Sequence, residues 1–132
     1  MKHKSILAAT LAAALLVPLG AAAHHSFAVF FDETRNVRVE GVVTAFRFTN
    51  PHATIVMDVV ASDGQTHEWR AETNAPVVLQ RRGWNRTSLK AGDRVTLDGW
   101  PSRDGRLYMR LRAATDANGR AIGSAPFSAN DD

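Results

Sequence analysis

Four histidines lie beyond the apolar start of the chain and are its best candidates for chemistry: His24, His25, His52 and His67. Neutral imidazole is a common ligand of copper and zinc. His24 follows Ala23, the last of three small residues typical of a signal-peptidase site. Cleavage there would free the amine of His24, which with its imidazole would chelate one metal ion, with His25 or His52 as a third ligand. This arrangement resembles the histidine brace of some copper proteins.

Cleavage one residue earlier would create a different copper site. The chain would begin Ala23-His24-His25, and the amine, two backbone nitrogens and the imidazole of His25 would surround Cu(II) in a square plane. Copper heads the affinity order of the divalent ions. The alternative is that His24 and His25 are solvated and bind metals adventitiously. For His52 the alternative is donation to a loop carbonyl, and His67 is expected to be a packing or surface residue.

The first 23 residues predict a signal peptide. Lys2 and Lys4 give a positive start, residues 6–19 are almost entirely apolar, and Gly20 follows them. The apolar run is too short for a stable membrane span. The sequence therefore predicts a periplasmic or secreted bacterial protein with no membrane span after processing. It contains no cysteine, so the domain must be stable without disulfides.

Charge argues against a nucleic-acid partner. The whole chain carries a net charge of +3, but Lys2 and Lys4 would leave with the signal peptide, and 14 Lys+Arg would then stand against 13 Asp+Glu. Tracking a phosphate backbone requires a basic surface, which a net charge of about +1 does not supply. The remaining 109 residues are enough for one domain with one modest core.

Alternating hydrophobicity predicts five strands, over residues 37–48, 53–61, 66–73, 94–100 and 107–113. Pro76 in a first turn and Gly83 as a stop predict one short helix over residues 75–82. Gly41 indicates a bend or bulge in the first strand. A short last strand is expected at residues 120–122.

The order β-β-β-α-β-β predicts a mainly β fold, a five-stranded antiparallel barrel like the OB-fold over residues 37–122. A plain antiparallel sandwich is the alternative. Residues 24–36 are expected to form an aromatic arm packed on the domain, and residues 123–132 a flexible tail. In the last barrel strand, Leu107 is expected to face inward and Arg110 outward.

Aromatic and basic side chains on the predicted strands form a second candidate site. We predict a ligand-binding face that contains Trp69, Arg70, Tyr108 and Arg110. Such a face would suit a small ligand or a periplasmic protein partner; packing of the tryptophans in the core or at a sheet edge is the favoured structural interpretation. Glu68 and Glu72 are expected to pair with Arg70 or Arg47 on a solvated face.

Several short motifs carry a family resemblance. His24-His25-Ser26-Phe27, Asn50-Pro51-His52 and Gly83-Trp84 occur in this order, and the chain resembles a bacterial family of short exported proteins known as domain of unknown function 6152. The resemblance implies export and a small β-barrel, and it assigns no activity. The sequence contains no GxSxG, HExxH or P-loop motif. The overall prediction is an exported binding protein, not an enzyme, with copper as its candidate cofactor.

Overall fold

The computed structural model describes residues 23–124 and 127–129, with side chains from Phe27 onward. The predicted signal peptide lies outside the described residues, apart from the backbone of Ala23. The imidazoles of His24 and His25 also lie outside them. No helix in the described part of the chain has the length and apolar character needed to cross a membrane.

The described residues contain two helices and five strands. In chain order these elements are α1 (Ala23–Phe30), β1 (Val37–Arg47), β2 (Thr54–Val60), β3 (Thr66–Glu72), α2 (Pro76–Arg81), β4 (Arg94–Pro101) and β5 (Tyr108–Asp116). The five predicted strands and the helix between the third and fourth are all present. The last predicted strand, residues 120–122, is reduced to one isolated bridge between Thr115 and Ala121.

The strands close into a barrel in the order β1-β2-β3-β5-β4, with β4 paired back to β1. This order, with α2 connecting β3 to β4, confirms the OB-fold-like barrel. The expectation of an antiparallel barrel is wrong at one seam, because β3 and β5 pair in parallel. A closed ring with an odd number of strands cannot alternate direction at every pair, so at least one pair must be parallel.

The core consists of the alternate residues of each strand that point into the barrel. Fully buried members include Ile55, Met57, Leu97, Met109 and Leu111. Removal of their apolar surface from water is the main favourable contribution to folding. Leu79 of α2 joins the same core, together with the tryptophan that follows the helix. Phe127, in the expected tail, is also buried there.

The irregularity in β1 lies two residues beyond the predicted position. The register with β2 shifts between Val43 and Ala45, whereas Gly41 stays in regular pairing with β4. A Cβ atom on Gly41 would lie 2.2 Å from the carbonyl oxygen of Asp58. Glycine at this position therefore allows close approach of the neighbouring strand. Beyond the shift, Phe46 packs against the core.

The start of β5 differs from its prediction. The strand begins at Tyr108, and Leu107 precedes it with 41% of its surface exposed instead of facing the core. Arg110 does point away from the barrel interior, yet only 5% of it is exposed. The outer surface of β5 is therefore covered, and the covering segment belongs to the aromatic arm predicted at residues 24–36.

Helix α1 lies against the outside of the barrel. The ring of Phe27 contacts Trp100 edge-on at a centroid distance of 5.2 Å, and Phe31, just after the helix, lies 5.2 Å from Tyr108. Backbone contacts fix the end of the segment: Phe31 bridges to Ser102, and Asp32 N–H donates to the carbonyl of Pro101. The sequence predicts no helix here, because the described residues of α1 follow no capping motif and give little local signal.

Candidate binding cleft between the first helix and the barrel

A cleft of about 510 Å³ is lined by the α1 segment and by the outer surface of β3 and β5. Its lining residues come from four parts of the chain: Phe27, Phe30, Phe31, His52, Glu72, Asn74, Ala75, Arg106, Tyr108 and Arg110. This volume falls within the range usual for small-molecule sites. The lining has an aromatic side and a polar side.

Phenyl rings of the α1 segment form the aromatic side. The rings of Phe27 and Phe31 lie 5.6 Å apart, and Phe31 in turn packs on Tyr108. Phe30 stays 56% exposed at the edge of the cleft. An apolar surface of this kind favours a ligand with an apolar or aromatic part.

Glu72 lies at the centre of the polar side. One oxygen, Oε1, lies 2.7 Å from Nδ1 of His52 and 3.3 Å from Nη1 of Arg110. The other oxygen, Oε2, accepts a hydrogen bond from the Tyr108 hydroxyl. The same Nη1 of Arg110 donates to the backbone carbonyl of Thr73 at 2.7 Å. Three side chains thus converge on one carboxylate.

The parallel seam explains why these residues meet. In its register Glu72 lies beside Arg110, and Arg70 lies beside Tyr108. Alternation along each strand then directs Glu72, Tyr108 and Arg110 to the outer surface, because their neighbours Ala71 and Met109 face the core.

His52 reaches the cluster from the loop between β1 and β2. This loop contains the cis peptide bond Asn50-Pro51. Two backbone hydrogen bonds attach the loop to the end of β3: Ala53 N–H donates to the Asn74 carbonyl, and Thr73 N–H donates to the Ala53 carbonyl. His52 is therefore held beside Glu72, with 42% of its side chain still exposed.

Tyr108 gives a direct spectroscopic test of the polar side. Burial, with the hydrogen bond to Glu72 and the charge of that carboxylate, raises the pKa of Tyr108 well above its usual value of 10.0. Tyr108 is the only tyrosine in the chain, so tyrosinate absorbance near 295 nm reports it alone. We expect no tyrosinate at pH 10 in the folded protein and its appearance at pH 10 in urea. Because the folded pKa is the higher one, stability is retained below pH 10 and lost as the pH rises through the folded pKa.

Two variants complete this titration. Tyr108→Phe should abolish the absorbance change, and Glu72→Gln should lower the pKa of Tyr108 because the charge of the acceptor is removed. Half-ionisation of Tyr108 at pH 10 in the folded protein would contradict the arrangement of Tyr108 and Glu72.

The structure brings together part of the predicted site. His52, Tyr108 and Arg110 meet in the cleft. Trp69 lies on the opposite, core-facing side of β3, half-buried and paired with Met57. Arg70 shares the outer surface but is exposed and forms an ion pair with Glu68 at 2.8 Å. The single predicted face of tryptophan and arginine residues is therefore two separate surfaces.

The sequence pattern does not reveal the central role of Glu72. It predicts a solvated pair of Glu72 with Arg70 or Arg47, whereas the carboxylate contacts Arg110, Tyr108 and His52. The contact between Glu72 and Arg110 follows from the parallel register of β3 and β5, which the sequence pattern does not contain. The phenylalanines were predicted to pack on the domain, but not to form the wall of a cleft.

Of the four histidines singled out in the sequence, His52 and His67 have described side chains, and these two lie apart. His52 lines the cleft, and His67 lies near the other end of β3, opposite Val59. The residues with described side chains contain no group of three His, Cys, Asp or Glu suited to a metal ion. For His24 and His25 the structure describes the backbone alone, within α1. The metal prediction for His24, His25 and His52 therefore stays a prediction.

Fold and cleft together define a small OB-fold-like protein with a ligand-sized cleft under an N-terminal aromatic helix. A family model described as a family of unknown function, DUF6152, matches residues 13–109. The chain belongs to this family, as its motifs predicted. No curated protein sequence matches it significantly.

Several solved structures share part of the shape. The chain is similar to TiaS in complex with a transfer RNA and ATP, with a TM-score of 0.47, 19% identity, and coverage of 65% of this chain and 19% of that one. It is also similar to a small single-stranded DNA-binding protein from Streptomyces coelicolor, with a TM-score of 0.44, 19% identity, and coverage of 65% and 94%. A TiaS mutant in complex with agmatine is similar with a TM-score of 0.43 and 18% identity, and the match covers 74% of this chain and 24% of that one. The chain thus spans less than a quarter of the TiaS chains.

Proposed function

We propose that this protein is an exported, non-enzymatic binding protein that takes a small ligand into the cleft under α1. The observation that supports this most directly is the two-sided lining, with phenylalanine rings on one side and the Glu72 cluster on the other. Ligand sites commonly combine an apolar wall with a few placed polar groups. The polar groups here bond mainly to one another, which favours recognition over acid-base catalysis.

Within this proposal, copper is the ligand with the most specific support. Cleavage is predicted after Ala23, which is the first described residue of α1. A rise of about 1.5 Å per helical residue places the backbone of His24 one turn before Phe27, and Phe27 and His52 line the same cleft. A newly formed amine at His24 would therefore lie near the cleft. Two nitrogens from His24 and one from His25 or His52 would suit Cu(II).

Three measurements test this function. Mass spectrometry of the periplasmic protein should find a chain that begins at His24, or at Ala23 for the alternative site. Titration of that protein with CuCl₂ in competition with a chelator should give one tight site. His24→Ala, His25→Ala and His52→Ala are then compared with the wild type, and at least one should bind copper more weakly. Unchanged stoichiometry and affinity in all three variants would refute copper binding, and retention of Met1 would refute export.

A metal-independent interaction module is the second candidate. Arg70 and Leu107 are exposed next to each other at the β3–β5 seam, where Arg70 N–H donates to the Leu107 carbonyl. An unidentified periplasmic protein would dock on the outer surface at this seam without metal. Pull-down from periplasmic extract with and without EDTA distinguishes the two candidates, with Arg70→Ala and Trp69→Ala as the surface and core-side variants. Capture lost only in Arg70→Ala, and insensitive to EDTA, would favour the module.

A further inference from the structure

We infer that the ligand of this cleft is a small aromatic carboxylic acid, with its ring against the aromatic side and its carboxylate on the guanidinium of Arg106. This inference rests on the proposed role of the cleft in binding a small ligand, and it names the chemical class of that ligand. It does not depend on copper at the chain end, because the residues that support it all have described side chains.

The charge of the cleft lining favours an anion. The ten lining residues include two arginines, Arg106 and Arg110, and one carboxylate, that of Glu72. This carboxylate is already engaged by three side chains of the protein, those of His52, Tyr108 and Arg110. A cationic ligand would therefore find its only candidate partner occupied and would lie beside two guanidinium groups. A ligand with one negative charge would instead balance the excess positive charge.

Arg106 supplies the positive charge that a ligand can reach. Its side chain is 65% exposed, whereas Arg110 is buried and donates to the Thr73 carbonyl. Nε of Arg106 donates to Oδ2 of Asp104 at 2.6 Å. A guanidinium has five N–H donors, and a bidentate contact with one carboxylate uses two of them. Arg106 therefore has donors for a second carboxylate, that of a ligand.

Tyr108 connects Arg106 to the aromatic side of the cleft. The guanidinium carbon of Arg106 lies 5.8 Å from the centroid of the Tyr108 ring, and the Phe31 ring lies 5.2 Å from the same ring. Phe30 lines the cleft while largely exposed, so a ligand ring that covers it would remove apolar surface from water. Contacts between the rings add to this stabilisation. A molecule whose carboxylate is joined directly or by a short chain to an aromatic ring would reach both groups.

The competing interpretation is that Arg106 only pairs with Asp104 and attracts no ligand. Arg70 provides a matched control, because its Nε also donates to a carboxylate two residues earlier, that of Glu68. Arg70 shares the outer surface but lies outside the cleft lining. Glutamine removes the same charge at either position, and loss of an exposed ion pair should change stability little.

The experiment titrates the purified native protein with trans-cinnamate and follows the backbone amides by two-dimensional NMR, which measures both affinity and position. Cinnamamide has a similar shape without the charge, and cinnamylamine carries the opposite charge. We expect cinnamate to shift the amides of residues 27–31 and 106–110 and to bind about tenfold more tightly than the other two probes.

Three variants locate the contacts. Arg106→Gln should bind cinnamate and cinnamamide with equal affinity, because the charge that distinguishes the two probes is removed. Arg70→Gln should behave as wild type. Phe30→Ala should weaken the binding of both probes to a similar extent, since the ring contact is common to them.

The outcomes separate this inference from the function on which it rests. If cinnamamide or cinnamylamine shifts the same amides and binds as tightly as cinnamate, the assignment of an anion is refuted and the binding cleft stands. If Arg70→Gln weakens cinnamate binding as much as Arg106→Gln, the contact with Arg106 is refuted.

A complete lack of binding has a different meaning. If none of the three probes shifts these amides, the inference fails together with the proposed use of the aromatic side, and the copper titration tests the remaining function separately. Thermal melts identify any variant that does not fold. Should Arg106→Gln be one of these, the comparison of the three probes on the wild type decides alone.

Discussion

Replacing Phe31 with alanine is expected to destabilise the protein by about 3 kcal/mol, the lower end of the range for a buried phenylalanine, and to release α1 from the barrel. Phe31 is only 4% exposed and packs between Phe27 and Tyr108. It is not part of the barrel core, so the loss should fall mainly on the contact between α1 and β5. Urea unfolding measures the stability, and hydrogen exchange of the amides in residues 27–32 measures the release.

Phe30 provides the matched control for this prediction. It has the same side chain one position earlier but is 56% exposed, so Phe30→Ala should change the free energy of unfolding by less than about 0.5 kcal/mol. Equal effects of Phe30→Ala and Phe31→Ala would contradict the described packing of α1. In Phe31→Ala, release of α1 should also abolish any ligand binding that depends on the phenylalanine side of the cleft.

Glu72→Ala is expected to cost about 3 kcal/mol of folding free energy, because it leaves the guanidinium of Arg110 charged and without its carboxylate. The side chain of Arg110 is 6% exposed, so water cannot readily replace the lost partner. The hydrogen bond from Arg110 to the Thr73 carbonyl is retained and keeps the cost at the lower end of the range for a broken buried pair. Chemical denaturation at pH 7 measures the loss.

Glu68 allows a comparison on the same strand. Its ion pair with Arg70 is short, at 2.8 Å, but both side chains are more than half exposed, so Glu68→Ala should cost less than about 1 kcal/mol. Glu72→Gln should fall between the two, since the amide oxygen still accepts a hydrogen bond. If Glu72→Ala is as mild as Glu68→Ala, the contact between Arg110 and Glu72 does not stabilise the fold, and the described arrangement of the polar side is wrong.

These variants connect stability with the proposed function. Glu72 links the loop of His52 to β5, and Phe31 links α1 to the same strand. Both links meet at Tyr108, which contacts the carboxylate of Glu72 and the ring of Phe31. The outer surface of β5 is therefore the element that holds together the two sides of the cleft.

Much of the barrel follows from local sequence patterns. Alternation of apolar residues placed the five strands to within a few residues, and Pro76 and Gly83 located α2. The turn and helix signals also established the order of elements, from which the barrel could be predicted. Closure of five strands into a barrel requires at least one parallel pair. The alternation of apolar residues does not show that this pair is β3 and β5.

The cleft depended on tertiary structure. Alternation correctly directed Arg110 away from the barrel interior, but it could not show that this outer surface is covered. The covering segment, α1, has too little helical signal of its own and is stabilised by contacts with Trp100 and Tyr108. The meeting of His52, Glu72 and Arg110 likewise follows from strand register and not from spacing along the chain.

The sequence alone determined the family, the barrel and the histidines that remain candidates for copper. Tertiary structure decided that His52 lies beside Glu72, that Trp69 faces the core, and that a cleft exists beneath α1. The physical reason is that local patterns record which side of an element is apolar. Contacts across a strand seam, or between a short helix and an outer sheet surface, form only when distant segments are brought together.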